Sequence, residues 1–196
     1  MAVNQRTLSP WARRPDVRIG AVVALVALVA FLVWLLVIHD SGSGSGSASQ
    51  PSATPLAPVA ASPGRIRDLS VEVGRPIYWL GPLKDKVYEL QRTSQDRIYV
   101  RYLPPSASIG TTKAAYPLVG TYPVPNAYGV LKSLAKTSGE TSFAAPRGAI
   151  AVYSNARPTN IYLAYPGSDE QIEVYDPVPG NARTLVASGR VVPVGS

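Results

Sequence analysis

The chain has 196 residues, no cysteine, one histidine and a formal charge of +7. That length allows one ordinary domain with accessory segments. The missing cysteines and the lone His39 exclude disulfide staples, thiol nucleophiles, Cys/His zinc sites, multi-histidine catalytic zinc and Ser-His-Asp triads.

Residues 1–18 form a short basic tail, with Arg6, Arg13, Arg14 and Arg18 against Asp16. Residues 19–38 follow without a charge, and fourteen of these twenty are Val, Leu, Ile or Phe. A helix needs ~20 such residues to cross the hydrocarbon core. These fourteen contribute on the order of −4 to −8 kcal/mol on an insertion scale. The run exceeds the roughly 7–15 residues of a signal-peptide core, which favours an uncleaved anchor over a product secreted after cleavage. Arginines precede the run, while His39, Asp40 and a neutral Ser/Gly stretch follow it. The positive-inside rule therefore keeps the N-terminus cytoplasmic and exports the remainder. The lipid bilayer, met through residues 19–38, is the first expected partner.

Residues 41–64 read as a disordered linker, because Ser, Gly, Pro and Ala offer too little apolar surface to repay ordering. As a coil these 24 residues span about 25–30 Å. The domain boundary then falls near Arg65, and residues 65–196 form the outer domain.

Within it, Val71–Val73 and Pro76–Leu80 are β-type runs, the second closed by Gly81-Pro82. Lys86–Arg92 and Arg97–Leu103 flank the polar stretch Thr93–Asp96 and read as a hairpin. In its second arm Ile98, Val100 and Tyr102 alternate with Arg97, Tyr99 and Arg101, the period of a half-buried strand. Leu118–Tyr122 reads as a further strand, stopped by Pro123. Asn126–Ser138 predicts a helix, with Asn126 as cap, Val130, Leu131 and Leu134 on one face, and Gly139 as stop. Strands follow at Ala149–Tyr153, Asn160–Tyr165 and Gln171–Tyr175, then a short helix at Asn181–Ser188 and a last strand at Arg190–Val194. No internal repeat is visible. The fold class is α+β, a small mostly antiparallel sheet with one or two short helices; a β-sandwich or small barrel is the alternative.

Chemistry is thinly signalled. Ser133-Leu134-Ala135-Lys136 matches the S-x-x-K of penicillin-binding enzymes, but Lys136-Thr137-Ser138-Gly139 overlaps it where a separate strand is needed. A carboxylate hydrolase would need two facing carboxyls about 5–9 Å apart. Glu173 flanks a strand and Asp169-Glu170 sit in a turn, where solvated charges are expected. No catalytic residue, metal site or cofactor is assigned. All eleven tyrosines lie in the outer domain, several beside arginines. Trp79, Tyr88, Arg92, Tyr99 and Arg101 are therefore the candidate binding residues, by stacking and anion contact. No phosphate-loop or RNA-binding signature accompanies them, so nucleic acid is not expected.

Three segments, Pro76-Ile-Tyr-Trp-Leu-Gly81, Tyr99-Val-Arg-Tyr-Leu-Pro104 and Gln171-Ile-Glu-Val-Tyr-Asp-Pro177, carry a resemblance that covers about Arg65 to Val194. Behind an anchor and a Ser/Pro tether, this region resembles single-pass membrane-anchored proteins of high-GC Gram-positive bacteria whose outer domains have no assigned activity. The resemblance implies placement in the cell envelope and transfers no site residue. The leading expectation is an envelope interaction module whose partner is an anionic wall polymer, a lipid headgroup or another envelope protein. A small carboxylate hydrolase and an accessory subunit of a membrane assembly are the alternatives.

Overall fold

The computed structural model describes residues 53–195. The 19–38 span and the opening part of the 41–64 linker lie outside the described residues, within which no helix is long and apolar enough to cross a membrane.

The hairpin and the strands after it join into one eight-stranded sheet in which every pairing is antiparallel. Its strands are β1 (Leu56–Ala61), β3 (Val87–Arg92), β4 (Ile98–Leu103), β5 (Leu118–Pro123), β6 (Glu140–Ala144), β7 (Ile150–Ser154), β8 (Asn160–Ala164) and β9 (Glu170–Tyr175). Across the sheet they run β1-β3-β4-β5-β9-β8-β7-β6. A two-residue β2 (Tyr78–Trp79) pairs with β10 (Val192–Pro193) over one face. The α+β expectation holds, as one open sheet and not the sandwich or barrel.

Helices α1 (Pro63–Val73) and α3 (Asn181–Ala187) share the first face with β2. There Ile66, Leu69, Ala182 and Val186 pack with the inward alternates of the strands, among them Leu90, Val100, Val119, Leu163 and Val174. The second face is covered by α2 (Ala127–Leu134), whose Ala127 and Leu131 meet Val152 and Ala164. Strands β3-β4-β5 and β7-β8-β9 each run in order to the middle, where β5 meets β9. Each run then leaves through Pro-Val-Pro, at 123–125 and 177–179, into α2 and α3 respectively. The two halves therefore echo one another in plan although the sequence shows no repeat.

Several expectations change. Val71–Val73 closes α1 and is not a strand: the Ser62 side chain accepts from Arg65 N–H at the helix start, Pro63 opens the first turn, and Gly74 stops it at φ 66°. A β-branched pair is a weak strand signal beside a complete set of helix boundaries. Residues 56–61 of the supposed linker form β1, paired with β3 through Leu56↔Arg92, Val59↔Leu90 and Ala61↔Tyr88. Backbone hydrogen bonds and the half-buried Leu56 and Val59 order a segment whose composition alone would leave it loose. Its edge position accommodates Pro58, which has no N–H to donate. The folded unit thus begins before Arg65. Helix α2 ends at Leu134, four residues short of expectation, because residues after it turn into the missed edge strand β6. The Arg190–Val194 strand shrinks to the two residues of β10.

Candidate functional site

The second face between β4 and β8 carries a row set by strand register: Tyr99 opposite Gly120, Gly120 opposite Glu173, and Glu173 opposite Tyr162. Glu173 is 3% exposed in the central strand β9. Its Oε1 accepts from Asn160 Nδ2 at 2.5 Å and from Tyr162 Oη at 3.4 Å, while its Oε2 accepts from Tyr122 Oη. Tyr122 reaches Glu173 by lying along its own strand over Gly120, where a Cβ would come within 2.6 Å of the hydroxyl. Tyr99 meets Tyr122 edge-on at 5.7 Å, and Arg97 lies 5.8 Å over the Tyr122 ring.

Burial is the main cause raising the Glu173 carboxyl above its usual range, against the lowering effect of its three donors. The same burial, with Glu173 alongside, pushes the Tyr122 and Tyr162 hydroxyls up. A carboxylate met by three donors and sealed by aromatic rings is a polar anchor for the sheet.

The other buried acids are likewise engaged. Glu89 pairs with Arg101 at 2.5 Å and accepts from Gly110 N–H at 2.5 Å. Asp176 accepts from Val178 N–H at 2.8 Å and from Asn181 at 3.3 Å, tying the exit of β9 to the start of α3. Glu170 meets Arg75 at 2.8 Å on the first face, and Arg75 also binds Asp96 at 3.2 Å. Glu170 and Glu173, expected to be solvated, are both buried, because β9 lies inside the sheet between β5 and β8. Among the described residues no group of three or more His, Cys, Asp or Glu is placed to hold a metal ion.

The five sequence candidates do not converge on one surface. Trp79 and Tyr88 lie in the first-face core, their rings edge-on at 5.8 Å, with Tyr88 against Tyr102 at 5.5 Å. The Tyr88 hydroxyl accepts from Leu83 N–H at 3.0 Å. Arg92 is bound to Asp96 at 2.6 Å in the hairpin turn. Tyr99 and Arg101 share the second face of β4, one beside Tyr122 and the other on Glu89. Sequence reading passed over Tyr122 and Asn160. The alternation of Gln171-Ile-Glu-Val-Tyr does place Glu173 opposite Ile172 and Val174, yet nothing local shows that this second face is closed. In Ser133-x-x-Lys136, Ser133 is in the last turn of α2 and Lys136 is beyond its end.

No family model, curated protein or solved structure matches the chain.

Glu170 provides a pH prediction. Burial pushes its carboxyl up to about 7 from 4.5, with Asp96 and Asp169 adding and Arg75 opposing. Since the folded form holds the proton more tightly than the unfolded chain, this group's stabilisation is complete below 4.5 and is lost as pH rises to about 7. Unfolding midpoints in urea should therefore fall across that window. Glu170→Gln should flatten the fall, and an unchanged slope in the variant would assign it to another group.

Proposed function

We propose that the chain is a membrane-tethered, extracytoplasmic interaction module that binds an anionic component of the cell envelope. The observation that carries this reading is the fate of the charges. Of fifteen cations and ten acids between residues 53 and 195, four of each meet in salt bridges and two more acids, Glu173 and Asp176, are buried. Eleven cations and four carboxylates remain outside such pairs. The domain keeps its negative charge for its own framework and presents positive charge outward, which draws anions from a distance.

Placement rests on the sequence of the 19–38 run and its arginine flank. With β1 beginning at Leu56, seventeen residues separate it from Ile38.

Two measurements test the proposal together. A reporter active only outside the cytoplasm should work when fused after Ser196 and stay silent when fused before Ile19. The full chain should co-sediment with isolated cell walls at low salt and be released at high salt. Retention of the C-terminus in the cytoplasm, or failure to bind at low salt, would overturn it.

A further inference from the structure

The sheet has two unlike ends. The chain enters at the end marked by Leu56, Arg92, Ile98 and Thr121, which the strand registers place in line. Here Arg75 is taken up by Asp96 and Glu170 and Arg92 by Asp96, while Arg97 and Arg147, in no salt bridge among the described residues, lie over the Tyr122 and Tyr165 rings. The opposite end is marked by Ala61, Tyr88 and Tyr102 on one side and by Leu118, Tyr175 and Asn160 on the other. The segments that emerge there are 81–86 before β3, 104–117 between β4 and β5, 135–139 before β6, and 155–159 between β7 and β8. Tyr175 Oη donates to Ala114 O at 2.6 Å, and Asn155 N–H to Gly139 O at 2.9 Å, which fixes the second and third of these at that end.

Those segments carry Lys84, Lys86, Lys113 and Lys136, four of the chain's five lysines. All four are exposed, and none is in a salt bridge among the described residues. Arg157 lies in the fourth segment, Asp85 and Glu140 are acids nearby, and Asp176, also at this end, is buried on Val178 N–H and Asn181. Of the three exposed large hydrophobics among the described residues, Ile109 (36%) and Val178 (53%) belong to the same end. Hydrated point charges on flexible stems suit a partner with repeated, loosely spaced anions better than a single planar carboxylate, which arginine forks would grip.

From this polarity we infer that the end remote from the chain entry binds a soluble anionic polymer, one bearing phosphates or carboxylates along a flexible backbone, and not the headgroups of the membrane. This rests on the proposed envelope-binding function and adds its surface and partner class. The described chain begins at the entry end, where Ala53 N–H donates to Ser94 O at 3.1 Å, and the lysine segments lie at the end remote from it.

The test compares equal charge changes at the two ends. The full chain is held in zwitterionic nanodiscs, and labelled poly(glycerol phosphate) is titrated at low salt. Lys84→Gln/Lys86→Gln and Lys113→Gln/Lys136→Gln each remove two positive charges at the far end, and each should weaken binding by about fivefold or more. Ser94→Glu/Gln95→Glu adds two negative charges on the exposed hairpin turn at the entry end, and should change binding by less than about twofold. Equal weakening by all three variants would overturn the localised surface while leaving envelope binding intact. If the wild-type chain ignores the polymer yet captures phosphatidylglycerol vesicles, the polymer assignment falls. If it binds neither, the proposed function falls with it.

Discussion

Replacing Arg75 with alanine should cost about 3–5 kcal/mol at pH 8, the range for stripping one partner from a buried ionic cluster. Arg75 follows α1 directly and its side chain is 13% exposed, with Glu170 at 8% and Asp96 at 26%. Its guanidinium binds carboxylates from β9 and from the β3–β4 turn, and it also donates to the Asp96 backbone carbonyl. One side chain thus fastens the end of a helix, a hairpin tip and the central strand. In the variant Glu170 loses this cation and faces Asp96, which keeps Arg92 at 2.6 Å. Glu170 has an escape, because its carboxyl already lies near 7 and would take up a proton more readily still. The loss should therefore be smaller at pH 5 than at pH 8. Urea unfolding of the full chain in neutral detergent at both pH values checks this. A loss independent of pH would mean that helix docking, and not charge, accounts for the effect. Arg75→Lys keeps the charge without the fork and should recover part of the loss.

The legible parts of this fold were those where a local pattern and the tertiary environment agree. The β3–β4 hairpin was readable because Ile98, Val100 and Tyr102 alternate on a strand with one apolar core beneath it, whereas its register Arg92↔Ile98, with Thr93 N–H donating to Arg97 O around a three-residue loop, differs by one residue from what a four-residue turn would give. Strand β1 was hidden for the opposite reason. Leu56-Ala-Pro-Val-Ala-Ala61 has the composition of a linker, and only the open edge of β3, some thirty residues later in the chain, makes it a strand. Strand β6 was missed likewise, since Glu140-Thr-Ser-Phe-Ala144 has a single large apolar side chain and lies at the other edge. The Glu173 cluster shows a further limit. Its members come from β5, β8 and β9, and β5 and β9 become neighbours only when the two halves of the sheet close on each other. Sequence separation of about fifty residues between Tyr122 and Glu173 leaves no periodic trace to read. The aromatic-plus-arginine signal drew attention to Trp79, Tyr88, Arg92, Tyr99 and Arg101, yet Tyr is also a good strand residue with an amphipathic ring. In this structure Trp79 and Tyr88 serve the core and Arg92 and Arg101 the ion pairs. The lysines carried no motif, and their shared position emerges only from strand order.

Gly120 should tolerate no side chain while Tyr122 is present. A Cβ at this position would come within 2.6 Å of the Tyr122 hydroxyl and 2.8 Å of its ring carbon Cζ, both on a ring held against Glu173 and Tyr99. Neither the backbone of a central strand nor a fully packed ring gives way cheaply. Tyr122 must therefore leave its place, and the buried Glu173 loses one of its three donors. Overpacking costs typically 1–3 kcal/mol and an abandoned buried acceptor about 1–3 more, so Gly120→Ala should destabilise by roughly 2–4 kcal/mol. The cause is separable from any general dislike of alanine in the strand. Tyr122→Ala removes the obstructing ring, and in that background Gly120→Ala should add little or even gain, since alanine pays less backbone entropy than glycine. The double-mutant cycle should thus show a coupling of more than about 1 kcal/mol between the two sites. Simple additivity would show that the ring does not rest on Gly120, and would remove the physical basis for the sealed carboxylate at the middle of the sheet.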